Sequence, residues 1–474
     1  SGDLFKNTGV VTHVRPPEGG EGSVGFTWAW HDAETDERGP ESHVIFEISA
    51  HGDGARLRLI HRDLATQEAA LVPYASKSQA PYKMNTLIPR NMAFEVQKSL
   101  NRIVKDKGNI DNYVRNQLKY ESTKEMWKGL GAEQVDAVGL YLKQFENEQG
   151  IIIADQTGIG KGRQAAAVIR HAVMQGFLPV FFTKKPDLFT DMYRDLKAIG
   201  FDNIRPFIVN TDTDSKVKDA QGNVVFTPMS SKAQYELITT EKEFPTESIE
   251  SIEWHKKIGK NLPDPDKVPY ITITETLDHL PVGYDMIFCT YSQVQSAHPY
   301  KRLWLESMVN NGLEGSKKYK KVIFILDESH MAGGFDSIIG TWMRNVLPQT
   351  KACCFLSATF AKYPEVMPFY AKKTAIAETG LTDASFVRSM TSGGLALQEI
   401  VASNLSESGQ LIRRQRSNEG IKVDYITLDA EPQRSKSRAS VNSIISLMNE
   451  VVQFEQEFVA PLLADIHASA KAQG

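Results

Sequence analysis

The densest chemistry in the sequence lies at residues 151–163, which read I-I-I-A-D-Q-T-G-I-G-K-G-R. The apolar run suits a strand buried on both faces. Two glycines and a lysine then make a turn into a helix. Backbone N–H groups of such a loop converge on phosphate oxygens, and the helix N-terminus adds roughly half a positive charge there. Lys161 is spaced to reach the β- and γ-phosphates of a nucleotide. The loop departs from G-x-x-x-x-G-K-S/T at both ends, with Asp155 first and Gly162 last. Taken alone, it also fits a Gly-rich strand-to-helix turn.

A second stretch narrows the reading. Residues 322–330, V-I-F-I-L-D-E-S-H, form an apolar strand ending in two carboxylates and a histidine. The end of a parallel strand is where such a sheet presents groups to a ligand. Asp327 suits a Mg²⁺ ion, held directly or through water, and Glu328 suits the orientation of an attacking water. A third strand end, F-L-S-A-T at 355–359, carries Ser357 and Thr359.

In this order the motifs resemble the first motor lobe of a superfamily 2 helicase of the DExH kind. Asp155 at the head of D-x-x-G-x-G-K is similar to the Swi/Snf branch. Q-T-G-I-G-K-G-R, with Gly162 and Arg163 after the lysine, resembles the strawberry notch-like helicases, including phage and plasmid proteins of the DarB antirestriction type. Further blocks agree: I-P-R-N at 88–91, L-G-A-E-Q-V-D-A-V at 130–138, T-K-K-P-D-L at 183–188, T-Y-S-Q at 290–293 and G-Q-L-I-R-R-Q-R-S at 409–417. The resemblance covers about residues 85–425.

The resemblance implies ATP and Mg²⁺ as cofactors. It implies that Gln134 reads the adenine. Thr157, Gly158, Ile159, Gly160, Lys161 and Gly162, with Arg163 beside them, would hold the phosphates. Asp327 takes the metal and Glu328 the water. His330, Ser357 and Thr359 couple nucleotide state to nucleic acid. Lys184, Lys185, Tyr291 and Gln293 are candidates for strand contact, and Arg413 and Arg414 read as a linker or strand-contact cluster. Gly162 leaves Mg²⁺ without its usual hydroxyl; Thr157 and an added water are the substitutes left open. DNA is the expected strand, with RNA left open.

The elements that must position these residues can be read from periodicity. Residues 1–82 alternate in short runs and predict a small β-rich domain. Residues 83–150 turn to helical spacing and predict a helical connector. From 151 to 374 strands alternate with helices, as in an α/β RecA-like P-loop lobe with a parallel sheet. The polar stretch at about 210–283 interrupts it as an insertion. Residues 375–474 predict a linker and a C-terminal helical segment at 441–471, kinked at Pro461.

Composition sets the outer limits. The 474 residues are 41% hydrophobic and 24% charged with a net charge of −4, which excludes a disordered chain and binding of nucleic acid by bulk charge alone. Three cysteines cannot build a disulfide framework, and the expectation is buried, reduced thiols in a cytoplasmic protein, or a virion-associated one if it derives from a phage. No apolar run approaches the ~20 residues of a membrane helix. No histidine–cysteine cluster has zinc spacing. H-R-D-L at 61–64 lacks the partners of a kinase loop. The chain opens on Ser1 and shows no second αβ repeat, so it reads as the front piece of a longer protein whose second lobe lies elsewhere. The alternative is a nucleotide-binding scaffold with protein partners and little turnover.

Overall fold

The structure is a computed structural model, and it describes residues 7–8, 11–18, 21–30, 42–51, 54–62, 71–258, 261–295, 300–310, 321–334, 336–358, 364–392 and 394–417. These all belong to one compact unit, Ser1–Ser417; a second unit, Asn418–Gly474, lies outside the described residues, as do the expected 441–471 helix and Thr359.

The N-terminal strands are β1 (Asn7–Thr8), β2 (Val11–Glu18), β3 (Glu21–Trp30), β4 (Ser42–His51) and β5 (Gly54–Arg62). They pair antiparallel, β3 with β1, β2 and β4, and β4 with β5. Alternation made three of them legible. Pro16 and Pro17 lie within β2, where the register shifts between Arg15 and Glu18. Proline has no N–H to give a ladder and is found at such irregularities. Next come β6 (Leu71–Pro73) and β7 (Thr86–Pro89), which pair with each other.

Four helices follow: α1 (Arg90–Lys107), α2 (Ile110–Leu118), α3 (Thr123–Gly129) and α4 (Ala132–Glu146). Asn109 and Ser122 cap α2 and α3 by accepting the backbone N–H groups of Asn112 and Glu125. Met92, Val96, Leu100 and Ile103 line the buried face of α1, at the spacing of one helix face. These helices share a single hydrophobic core with the large sheet, to which Val135, Val138 and Leu142 of α4 contribute.

The large sheet contains β8 (Gly150–Ile153), β9 (Leu178–Thr183), β10 (Pro206–Ile208), β15 (Met286–Thr290), β16 (Val322–Asp327), β17 (Ala352–Leu356) and β18 (Leu411–Ile412). Its order is β10-β15-β9-β16-β17-β8-β18 and every pairing is parallel. The α/β fold read from the sequence is therefore present. The continuous apolar runs exist because helices cover both faces. Helices α5 (Lys161–Met174) and α6 (Leu188–Ala198) follow β8 and β9. Cys289, Cys353 and Cys354 are buried free thiols.

Between β10 and β15 the described residues add no strand to this sheet. It builds two ribbons instead, β11 (Val217–Lys218) with β12 (Val224–Phe226) and β13 (Thr239–Pro245) with β14 (Tyr270–Thr276). The base of this segment is docked: Val217, Ile238 and Leu280 enter the main core, and Gln234 Nε2 donates to the Ile208 carbonyl at 2.8 Å. Two elements of the 375–417 stretch were not expected. One is the edge strand β18; the other is β19 (Gln415–Arg416), which pairs antiparallel with β7.

Candidate nucleotide-binding site

The loop at 155–160 leaves the C-terminal end of β8 and enters α5 at Lys161. Gly158 and Gly160 sit at φ +95° and +83°, backbone that a side-chain-bearing residue rarely adopts. Gln156, Thr157 and Gly158 are exposed, so the loop's open face is available to a ligand. The side chain of Ile159 is buried, and that residue offers only backbone. Lys161 Nζ donates to the Asp155 carbonyl at 2.7 Å.

Arg414 holds the head of this loop from behind. Its Nη2 donates to Asp155 Oδ2 at 2.6 Å, and its Nε and backbone N–H donate to Oδ1 at 3.0 Å each. Gln164 Nε2 donates to Oδ2 at 3.2 Å, and both charged side chains are fully buried. Arg414 also places its guanidinium 4.9 Å from the centre of the Tyr74 ring. Gln156 N–H donates to the Arg414 carbonyl, and the exposed Arg416 donates through Nε to the Gly158 carbonyl at 3.0 Å. Residues 414–416 thus grip residues 155–158. The expectation of Arg414 as a strand contact is corrected, because burial removes it from any nucleic acid. Arg413 beside it is exposed.

Gln134 is also corrected. Its Oε1 accepts the Gly131 N–H at 2.9 Å, closing a cap at the start of α4. Its Nε2 donates to the Ile159 carbonyl at 3.1 Å, and a Cβ at Gly160 would lie 2.2 Å from that nitrogen. With both ends of the amide engaged, Gln134 braces the loop and does not read a base. Arg163 likewise turns away, donating to the Gly129 carbonyl at 3.2 Å. A Cβ at Gly162 would lie 1.9 Å from Oδ2 of Asp195, on α6.

Asp327 closes β16 at the same edge of the sheet. Thr183, the last residue of β9, donates its hydroxyl to Asp327 Oδ2 at 3.1 Å. Burial raises the Asp327 carboxyl above its ordinary range; Thr183 opposes this by hydrogen bonding, and the charge of Lys161 also opposes it. Lys161 is therefore near enough for its charge to act on Asp327, although their strands are two positions apart. Glu328 takes φ +46° and ψ +48°, a conformation uncommon for a residue with a side chain. Its Oε2 lies 3.4 Å from His330 Nδ1 and its carboxylate is partly exposed.

His330 Nδ1 and Ser357 Oγ are 2.8 Å apart, so the histidine after β16 is tied to the serine after β17. Ser329 and Tyr370 hydroxyls meet at 3.1 Å behind them. Lys184 and Lys185 are exposed after β9, as a strand contact requires. Tyr291 is not. Its ring stacks on Phe182 at 5.8 Å, its hydroxyl donates to the Asp327 carbonyl at 2.7 Å, and burial raises that hydroxyl's pKa. It is a support for β16, and its assignment to strand contact is corrected. Gln293 accepts from Lys301 Nζ at 2.7 Å. Among the described residues there is no cluster of three or more metal-ligating side chains, and no helix is long and apolar enough to cross a membrane.

A family described as P-loop containing NTP hydrolase pore-1 matches residues 112–438. The chain belongs to this family. It is thus a P-loop NTP hydrolase with a nucleotide site, and the loop at 155–163 lies within the matched segment. Among solved structures, the SWI2/SNF2 ATPase core of Sulfolobus solfataricus in complex with dsDNA is similar at 13% identity, over 70% of this chain and 56% of that one, with a TM-score of 0.34. The same organism's SWI2/SNF2 ATPase core domain is similar at 13% identity, over 61% and 44%, with a TM-score of 0.35. A nuclease-deletion mutant of the Type ISP restriction-modification enzyme LlaGI, in complex with a DNA substrate mimic, is similar at 16% identity over 48% and 17%, with a TM-score of 0.27. The chain spans about half the length of the two SWI2/SNF2 cores. No curated protein matches it.

Sequence reading missed three groups: Thr183 on Asp327, the partnership of Arg414 with Asp155, and Asp195 beside Gly162. The last had one trace, since a glycine stands where a hydroxyl is usual. The Arg414–Asp155 pair is 259 residues apart and left none.

Proposed function

We propose that this P-loop NTP hydrolase is the ATP-binding first motor lobe of a superfamily 2 DNA helicase or translocase, coupling hydrolysis to movement on nucleic acid when joined to a second lobe. The observation that carries this reading is one sheet edge holding Lys161, Asp327, Glu328 and the His330–Ser357 link together. Loop amides and Lys161 would hold the phosphates, Lys161 leaving the Asp155 carbonyl for them. Glu328 would orient the attacking water. The His330–Ser357 pair would pass nucleotide state toward a strand lying along Lys184 and Lys185. The strawberry notch-like, DarB-type branch rests on Q-T-G-I-G-K-G-R and the sequence blocks that accompany it.

The residues fit a magnesium ion. Asp327 offers a hard carboxylate oxygen at the same edge of the sheet as the loop. When bound, such an ion neutralises phosphate charge and polarises the phosphoryl oxygens.

A second reading, a nucleotide-binding scaffold with little turnover, gains support from the burial of Tyr291 and Arg414, which removes two candidate strand contacts. DNA-stimulated phosphate release separates the two. The motor reading expects stimulation in a chain carrying both lobes. Nucleotide binding without turnover, with or without DNA, would favour the scaffold.

A further inference from the structure

We propose that Asp195 replaces the hydroxyl missing at Gly162 and supplies a protein oxygen to the magnesium ion at the nucleotide's phosphates. The proposal rests on the reading of the loop as a Mg²⁺–nucleotide site.

Gly162 directly follows the phosphate-reaching Lys161, where this kind of loop ordinarily carries Ser or Thr. The ideal Cβ at 162 would lie 1.9 Å from Asp195 Oδ2 and 3.0 Å from its Cγ. The carboxylate oxygen thus occupies the volume in which a Ser or Thr side chain would begin. With Asp195 in this position, a side chain at 162 requires the carboxylate to move.

The carboxylate is also held there. Phe189, Met192 and Leu196 of α6 are buried in the core, which fixes the helix, and the Asp195 side chain is only 16% exposed. Oδ1 faces Arg194 Nη2 at 3.5 Å. Oδ2, the oxygen turned to Gly162, accepts no hydrogen bond from protein among the described residues, and the charge of Arg163 acts on the same carboxyl. Magnesium takes hard oxygens and is typically bound by one or two carboxylates plus substrate phosphates, which Asp327 and Asp195 would satisfy without a hydroxyl.

Replacing a neutral hydroxyl by a carboxylate has a particular signature. Without metal, Asp195 repels the phosphates. With metal, it holds the ion that bridges to them. Nucleotide affinity should therefore depend steeply on Mg²⁺, and removing Asp195 should flatten that dependence from both ends.

The test is the affinity of a fluorescent ATP analogue in MgCl₂ and in EDTA, for wild type, Asp195→Ala, Asp195→Asn and the double variant Gly162→Ser with Asp195→Ala. The ratio of the two affinities should fall about 10- to 100-fold in both single variants, the range that changes around a bound metal cost. Affinity in EDTA should hold or improve. The double variant should recover the ratio, while Gly162→Ser alone should not, because its Cβ meets the Asp195 carboxylate. An unchanged ratio in Asp195→Ala and Asp195→Asn would overturn the proposal. So would an equal loss of affinity in MgCl₂ and EDTA, which would mark Asp195 as a packing residue. If wild type bound the analogue in neither condition, the nucleotide-site reading itself would fall.

Discussion

Arg414 closes on both carboxylate oxygens of Asp155, joining the chain's return past β18 to the first residue of the phosphate loop. The pair is fully buried, and Gln164 and the Arg414 backbone complete the hydrogen bonding of the carboxylate. The peptide that leaves the described sheet at 415–417 is therefore anchored to the loop that holds phosphate.

Removing one partner of a buried pair leaves an uncompensated charge, so Arg414→Ala should cost about 3–5 kcal/mol of stability. Asp155→Asn with Arg414→Met, which removes both charges, should recover much of that loss. Arg416→Ala, at an exposed guanidinium, should stay within about 0.5 kcal/mol. Urea unfolding of wild type and the three variants checks the order. Equal midpoints for Arg414→Ala and wild type would remove the anchor.

The ribbon of β13 and β14 offers a second check. Thr240 and Glu275 are paired partners at its base, and no described residue from 241 to 274 enters the main core. Replacing 241–274 by a short Gly-containing turn should leave nucleotide-dependent stabilisation intact, because a new turn between adjacent partners adds little loop entropy. Deleting the whole of 212–280 should unfold the lobe, since Val217, Ile238 and Leu280 go with it. Thermal melts with and without ATP distinguish the two deletions.

Legibility followed the range of the interaction. The motif-bearing strands β8, β16 and β17 could be read because burial on both faces demands five or so consecutive apolar residues, and glycine and lysine mark the turn. The strand β18 could not, because two residues carry no periodicity and its place is set only by pairing with β8. Tyr291 and Gln134 have the residue types of ligand contacts, yet their hydrogen bonds go to Asp327 and to Gly131 and Ile159. A residue type reports what it can bond, and only the fold reports which partner it meets.

His171 should make the lobe acid-sensitive. Its ring lies edge-on to Tyr141 and Phe145, its Nε2 has no partner, and burial pushes its pKa down to about 3. The unfolded chain takes up this proton near pH 6.5, whereas the folded one resists until about pH 3. Stability is therefore lost as pH falls below 6.5, by about 2 kcal/mol at pH 5 from this group. His171→Phe should flatten the slope of unfolding free energy between pH 6.5 and 4. An unchanged slope would place the acid sensitivity elsewhere.

The proposed role of Glu328 is to orient the attacking water. In a chain joined to its second lobe, Glu328→Gln should keep ATP affinity and slow phosphate release by at least ~10²-fold, as loss of a water-orienting base does. In the present chain alone, the proposed reading expects low wild-type turnover, because the second lobe would bring the arginine that stabilises transition-state charge, a contribution of ~10³–10⁵ in rate. Fast DNA-stimulated release by this chain would mean that it supplies a finger itself or through self-association.

Residues 155–163 should bind nucleotide through Lys161. Thermal unfolding of wild type and Lys161→Ala, each with and without ATP at about 100 times the wild-type Kd, tests it directly. Wild type should gain about 2.7 kcal/mol, a rise of several degrees in Tm, and Lys161→Ala should gain nothing. Equal stabilisation of the two proteins by ATP would contradict the account.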